Sequence, residues 1–575
     1  IKYCLQKSAL SLKNIDAVVF YEKPFLKFER LLETYYAFAP KGIASFLKSM
    51  PVWIHDKLFL KNKIYKGLKE IELFNKNDFK LLFSEHHLSH AASAFYASSF
   101  EDAAILTIDG AGEWSTASIG IGNGSKIKIS KEIHFPHSVG LLYSAFTYFL
   151  GFSVNSGEYK VMGLAPYGNY ASADVARYLD IIKTKIISVK EDGSIWMNQE
   201  YFNYATGLRM INEKKWEDLL GIKKRKPEDA LLQCHCDLAL AIQNITEEIV
   251  VKLAYEAKKI TGAEYLCMAG GVALNCVANE KILNEKIFKN IFVQPAAGDA
   301  GGALGAAFAA YHLYFEKEKK NNVIPDKMQG AFLGPEFSDD DIELMCNRTD
   351  AVFRKFENYE DVCRNVASLL SEGNVVGWFQ GRMEFGPRAL GNRSILGDAR
   401  NPEMQKKLNL KIKNREGFRP FAPAILEEDV PLFFETETAS PYMLFTAPVK
   451  KERRNLLPEN FLQLSLNDRL YFVRSDIPAA THLDFSARLQ TVNKNIHPKF
   501  WFLLNTFKKI TGYGVLVNTS FNVRGEPIVC SPDDAYRCFM STEMDYLVIN
   551  NFVFCKTEQR DWQNKEKWSV HFKPD

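Results

Sequence analysis

Cysteine is scarce in this chain, with ten residues in 575. At that density no disulfide framework can build the fold. The one tight group, Cys234-His235-Cys236, has no second Cys or His pair at the spacing of a structural zinc site, so reduced thiols on a helix are expected. Long apolar runs are missing as well. The longest candidate, Leu141 to Phe152, is interrupted by Ser144 and Thr147 and falls short of the roughly 18 residues that span a bilayer. Net charge is nearly absent: 72 Lys+Arg against 69 Asp+Glu leave +3. That balance gives no global attraction for nucleic acid or for an anionic membrane. There is no Walker A or GxGxxG fingerprint, no fixed-period repeat and no low-complexity stretch. No signal-peptide pattern follows Ile1, so a cytoplasmic location is expected, and the lack of an initiator Met raises the expectation of a fragment.

What is present is an ordinary globular composition, 47% hydrophobic, 13% aromatic and 25% charged. The polar stretch from Glu316 to Asp341, with charge runs, Pro and Gly, reads as a linker. Before it, the apolar run Ala103 to Ile108 ends in Asp109. Gly110 and Gly112 then turn the chain into Ser115 to Ile121, which predicts a hairpin with Asp109 at its tip. Residues 245–260 have helical periodicity up to Gly262, Tyr265 to Met268 reads as a strand, and a helix is expected from Ala273 onward. After the linker, Val362, Val366, Leu369 and Leu370 mark a helical face, and Asn374 to Phe379 a strand. The fold class is α/β of mixed character in at least two lobes, divided at 1–340 and 341–575.

Three of the eleven histidines fall within five residues, Glu85-His86-His87-Leu88-Ser89-His90. On a helix, His86 and His90 share a face at i,i+4, whereas His87 is rotated away. Paired imidazoles suit a divalent transition metal, and two acids at glycine-rich turns, Asp109 and Asp299, could complete its ligands. Spacing alone does not bring the four together. Asp109-Gly110-Ala111-Gly112, Ala269-Gly270-Gly271 and Gly298-Asp299-Ala300-Gly301-Gly302 read as backbone cradles for phosphate. Three in one lobe favour a nucleotide-binding lobe of the actin-like ATPase type.

Charge is uneven along the chain. From Arg382 to Arg419 there are ten basic and four acidic residues, 10 − 4 = +6, against +3 for the whole. Lys406 and Lys407 read as solvated surface charge. Arg388, Lys413 and Arg419 lie among Gly, Pro and Phe, and a phosphate site is expected there. Arg488, Ser520 and Asn522 bring further polar donors to the ends of apolar runs. RNA binding is a rival reading of the patch, but no aromatic stacking platform is interleaved with it.

The stretches HHLSHAASAFYAS, ILTIDGAGEW, GEYKVMGLAPYG, MAGGVALNC, QPAAGDAGGALGAA, MEFGPRALGNRSILGDAR, KIKNREGFRPFAP and VNTSFNVRGEPIV together resemble the NodU/CmcH-type O-carbamoyltransferases. The resemblance implies a first lobe like the threonylcarbamoyl-transferase fold of the actin-like ATPase superfamily and a second, YrdC-like α/β lobe. It implies that carbamoyl phosphate and ATP, with Mg2+, give carbamoyl-adenylate in the second lobe. The first lobe would then pass the carbamoyl group to a hydroxyl of a sugar or other natural product. By motif, His86, His90, Asp109 and Asp299 would hold a divalent metal: iron first, with manganese, zinc or magnesium as alternatives. Gly110, Gly112, Gly270, Gly271 and Asn275 would line the nucleotide. Arg388, Lys413, Arg419, Arg488, Ser520 and Asn522 would bind carbamoyl phosphate and ATP, and His86, His90, Lys413 and Arg388 would carry the chemistry. The partners implied are small molecules, with no nucleic acid and no membrane, and a homodimer is one assembly open to the chain.

Relatives open with a strand and a loop carrying His and Asp, and this sequence starts after that point. Asp484-Phe485-Ser486-Ala487 stands where relatives usually read Asp-Gly-Thr-Ala. Two other readings stay open: tRNA threonylcarbamoylation, and a nucleotide- and metal-binding protein without turnover.

Overall fold

The structure is a computed structural model that describes residues 1–55, 59–320 and 325–560. Part of the expected linker, residues 321–324, and residues 561–575 of the expected second domain lie outside the described residues. The chain divides into two compact units, one of residues 1–161 and 170–327, the other of residues 162–169 and 328–575. The change of unit at Lys327/Met328 falls inside the polar stretch, and the last seven residues of the GEYKVMGLAPYG motif, 162–168, belong with the second unit, together with Asn169.

The first unit is built on a five-stranded sheet in the order Lys126–His134, Ser115–Asn123, Asp102–Ile108, Tyr265–Ala269, Asn290–Val293. The first three strands are antiparallel neighbours and the last two run parallel to Asp102–Ile108 and to each other. The expected hairpin is therefore present, with Ile108 paired to Ala117 and Asp109 just beyond the strand. Strand Asp102–Ile108 is buried at six of seven positions, as a central strand covered on both faces must be. The expected helix at 245–260 starts 12 residues earlier, at Gln233, and runs to Thr261 with Gly262 as its left-handed cap. Leu238, Ile242, Ile245, Ile249 and Leu253 recur every three or four residues along it and are all buried. Cys234 and Cys236 lie on this helix as free thiols.

The helix expected from Ala273 is displaced. Gly271–Leu274 forms a 3-10 turn, and helix Cys276–Asn284 begins only after Asn275, whose side chain accepts from the Ala278 N–H as an N-cap.

The second unit carries a nine-stranded sheet: Arg354–Lys355, Phe552–Cys555, Tyr546–Ile549, Val376–Phe379, Arg393–Asp398, Val515–Ser520, Ala422–Leu426, Ser486–Val492, Phe445–Pro448. Its strands mix parallel and antiparallel pairings. Two apolar clusters flank it. One gathers Val362, Val366 and Leu370 of helix Tyr359–Ser371 with Trp378 and with Leu503, Leu504 and Phe507 of helix Pro498–Thr511. The other gathers Ile342, Met345, Phe379, Tyr536 and Phe539. Neighbouring residues Trp378 and Phe379 enter opposite clusters because successive strand side chains point to opposite faces.

Candidate functional site

The HHLSHAASAF segment forms helix His86–Phe95, so His86 and His90 share one face as their spacing predicts. A second helix, Asp299–Ala309, packs against it. The approach is backbone to backbone: a Cβ at Gly305 would lie 1.7 Å from the Ser89 carbonyl oxygen. This contact brings Asp299, at the start of its helix, to the imidazoles. Asp109 arrives from the end of the central strand.

The four side chains converge, each offering one ligand atom within 4.8 Å of the others. His86 Nε2 lies 3.0 Å from His90 Nε2, 3.1 Å from Asp109 Oδ2 and 3.7 Å from Asp299 Oδ1. His90 Nε2 is 3.7 Å from Asp109 Oδ2 and 3.8 Å from Asp299 Oδ1. The histidine side chains are 2% and 1% exposed, whereas Asp299 is 60% exposed, so the group opens to solvent on the Asp299 side. Burial pulls the His86 imidazole down, but the hydrogen bond and charge of Asp109, with the charge of Asp299, outweigh it and raise its pKa. Burial pushes the Asp109 carboxyl up, and its bonds to His86 and His90 overcome that and hold it well below the usual carboxylate range. Two imidazole nitrogens and two carboxylates so close together could hold one shared cation. N2O2 donors of this kind suit a divalent first-row metal.

His87 turns the other way. Its Nδ1 is 2.7 Å from Thr107 Oγ1, itself 2.6 Å from Ser118 Oγ. Burial, with the charges of His90 and His86, lowers its pKa to about 3. Of the cradles, Gly271 N–H donates to Asp109 Oδ1 at 2.9 Å. Gly270, at φ 91°, lies so close to the hairpin that a Cβ would be 2.3 Å from the Ile108 oxygen. Gly112 packs on His86 and His87, while a Cβ at Gly110 would meet only Leu141, at 4.0 Å. Besides capping its helix, Asn275 exchanges two 3.1 Å amide bonds with Gln243.

In the second unit, Lys413, Ser520 and Asn522 meet. Lys413 Nζ donates to the Ser520 carbonyl and lies 3.3 Å from Ser520 Oγ, 2.9 Å from the Asn522 carbonyl and 2.8 Å from Asn522 Oδ1. Burial, then the charges of Arg415 and Arg419, lowers its pKa well below the ordinary lysine value. Arg419 is buried and paired with Glu416 at 2.6 Å. Arg388 is half-buried in the loop leading to strand Arg393–Asp398, and Arg488 lies on strand Ser486–Val492 opposite Thr446.

Part of the basic surplus of this segment is buried or paired. Arg393 is wholly buried, lies 3.5 Å over the Phe379 ring and donates to the carbonyls of Gln380, Gly381, Asn392 and Pro335. Arg400 is paired with Asp398. Lys407 corrects the solvated reading: its Nζ bonds Asp545 at 2.7 Å and the Gly373 carbonyl at 3.2 Å. Lys406 is exposed, as expected.

Residues 1–308 match the family model described as carbamoyltransferase N-terminus, and residues 367–556 match carbamoyltransferase C-terminus. The chain belongs to the carbamoyltransferase family. It is 53% identical to an uncharacterized protein of Synechocystis sp., over 100% of this chain and 92% of that protein. Nodulation protein NolNO of Sinorhizobium fredii is 36% identical over 98% of this chain and 75% of its own length. Nodulation protein NolO of Bradyrhizobium diazoefficiens is 36% identical over 83% and 80%. Among solved structures, HypF of T. kodakarensis overlaps 45% of this chain and 39% of its own, at TM-score 0.23 and 15% identity.

Around the four-residue group of this carbamoyltransferase stand residues that spacing did not single out. The Tyr21 ring packs 5.7 Å from His86 and against Gly302. Glu22 is buried and paired with Lys27 at 2.6 Å. Glu113 accepts from the His86 N–H, and Arg30 donates to the Gly112 carbonyl. Glu113 lies inside the ILTIDGAGEW stretch, an acid four residues beyond Asp109, which is the one signal that could have marked it. No helix among the described residues is long and apolar enough to cross a membrane.

Proposed function

We propose that this carbamoyltransferase works in two steps, forming carbamoyl-adenylate in the second unit and transferring the carbamoyl group in the first to a hydroxyl of a sugar or other natural product. The observation that carries the reading is the convergence of His86, His90, Asp109 and Asp299. Carbamoyl phosphate, ATP and water would give carbamoyl-adenylate, phosphate and pyrophosphate. In transfer, the acceptor oxygen bonds the carbamoyl carbon, the bond to AMP breaks, and AMP leaves with the electron pair while the hydroxyl loses its proton. A divalent metal, when bound, supplies Lewis acidity toward the carbamoyl oxygen.

The chain's own residues then have separate tasks. His86 and His90, buried at the helix face, present Nε2 atoms from a rigid element, and Gly271 N–H fixes the rotation of the Asp109 carboxylate. Asp299, the exposed member, marks the side from which substrate approaches. In the second unit, Arg419 supplies positive charge and Lys413, whose buried amine charges less readily than an ordinary lysine, supplies N–H donors for the phosphate oxygens of carbamoyl phosphate and ATP, which is where phosphoryl and acyl-phosphate chemistry develops charge. The Ser520 and Asn522 oxygens hold Lys413 in one place, and a phosphate arriving there would take over one of these bonds. The resemblance to O-carbamoyltransferases and the lack of an aromatic stacking platform in the basic segment favour a small hydroxylated acceptor over tRNA.

The metal assignment is tested by purifying wild-type and His90→Ala proteins and measuring bound iron, manganese and zinc by mass spectrometry. The variant is expected to lose most of the bound metal, and wild-type metal content in it would remove the assignment.

A further inference from the structure

His86 and His90 depart from most metal-binding imidazoles in how they are held. Ligand imidazoles usually donate their second ring N–H to a carboxylate or carbonyl that fixes the ring. Here both Nδ1 atoms are buried and bond to nothing among the described residues. Their orientation must then come from packing and from the backbone of their helix. That helix makes no cap of its own, since the Glu85 side chain forms no capping bond, and first-turn N–H groups need a partner.

Glu113 supplies it. The His86 N–H lies 3.1 and 3.0 Å from the two Glu113 carboxylate oxygens. One of these oxygens also accepts from the Lys23 N–H at 2.7 Å. Lys23 precedes helix Pro24–Ala37, which likewise has no side-chain cap. Glu113 is 7% exposed and sits on the turn between strands Asp102–Ile108 and Ser115–Asn123, the turn that carries Asp109. Arg30, from helix Pro24–Ala37, closes the same turn from the other side by donating to the Gly112 carbonyl at 2.6 Å. A carboxylate at two helix N-termini satisfies unpaired donors and meets the positive ends of both helix dipoles.

We propose that Glu113 is the positioning residue of the metal centre. One buried carboxylate latches two helix N-termini to the turn bearing Asp109, and so sets His86 and His90 against that ligand. The inference rests on the metal-centre reading above.

Two measurements on the whole chain test it, using Co2+ alone as the metal probe. Amide hydrogen exchange of the metal-free protein reads the latch, and Co2+ titration followed by absorption reads the ligand geometry. In Glu113→Ala, exchange at residues 86–90 is expected to speed up and Co2+ affinity to fall about 10–100-fold, the usual cost of losing an outer partner of a metal ligand. Glu113→Gln, which keeps one acceptor oxygen and loses the charge, is expected to fall between. Circular dichroism and thermal melting of the metal-free variants check that they fold. Wild-type exchange and wild-type Co2+ affinity in Glu113→Ala would overturn the proposal. If that variant does not fold, the same result in Glu113→Gln overturns it. A wild-type protein that binds no Co2+ sinks the metal reading itself, which is a different failure from a variant that binds as well as wild type.

Discussion

His87 and His497 are buried imidazoles, and burial is the largest influence on each, pushing both pKa values from 6.5 to about 3. A histidine whose folded pKa is lowered contributes full stability above its unfolded pKa. As the pH falls from about 6.5 toward 3, the unfolded chain takes up a proton that the folded chain refuses, and stability is lost. His497 sits between Phe332 and Phe500, so His497→Phe keeps an aromatic ring there and removes the titration. The urea midpoint of the variant should fall less steeply than wild type between about pH 6 and 4. An unchanged slope would contradict the burial account. Phe485 illustrates another residue-scale constraint. At φ 63° it occupies the left-handed region that favours glycine, at the position where the resembling family reads Gly.

The legibility of the site also divides at this scale. His86 and His90 were readable because a helix turns an i,i+4 spacing into a shared face. Asp109 was readable because an acid ending an apolar run stands at a strand end. Glu113 and Arg30 were not, because they act on backbone N–H and C=O groups whose partners no spacing encodes. Arg393 and Lys407 were misleading in the opposite sense: counting charge cannot distinguish a solvated cation from one bonded to buried carbonyls or to Asp545.

At the scale of elements, the four-residue group depends on how closely helices His86–Phe95 and Asp299–Ala309 approach. The small residues of the second helix, DAGGALGAAFA, permit that approach, and Gly305 is its tightest point. Ala is favoured over Gly in a helix interior by about 1 kcal/mol. Here the new methyl would meet the Ser89 carbonyl at 1.7 Å and Ser93 N at 2.9 Å. These are backbone atoms that cannot rotate away, and overpacking of this kind costs about 1–3 kcal/mol or more. The clash should win: Gly305→Ala is expected to melt several degrees lower, and to bind less metal because Asp299 moves with its helix. A variant that melts higher and keeps its metal would contradict the packing argument. The sequence showed a helix at His86 and the glycines after Asp299, which read as a phosphate cradle, but neither the second helix nor that one glycine is the point of contact, since residue type does not specify which elements are neighbours. The late start of helix Cys276–Asn284 has a similar origin, because Asn275 is a better N-cap than any residue before it.

For the whole molecule, the near-zero net charge described the partner poorly. Within the segment from Arg382 to Arg419, Arg400 and Arg419 pair with Asp398 and Glu416, acids already counted in the +6, while Lys407 pairs with Asp545 outside it and Arg393 is bonded to buried carbonyls. Lys413 and Arg419 are buried members of this segment, whereas Lys406 and Lys411 are exposed. Each unit has its own core and its own candidate site, and family membership makes the chain a carbamoyltransferase. We propose that the two sites divide the chemistry, with adenylation at Lys413 in the second unit and transfer at the histidine group in the first. The most direct test is exchange of labelled pyrophosphate into ATP, with and without carbamoyl phosphate, in wild-type, His90→Ala and Lys413→Ala proteins. The account predicts carbamoyl-phosphate-dependent exchange in wild type and His90→Ala, and at least tenfold less in Lys413→Ala with its metal content unchanged, since a tenfold loss is about 1.4 kcal/mol of transition-state stabilisation. No carbamoyl-dependent exchange in wild type, or undiminished exchange in Lys413→Ala, would contradict it.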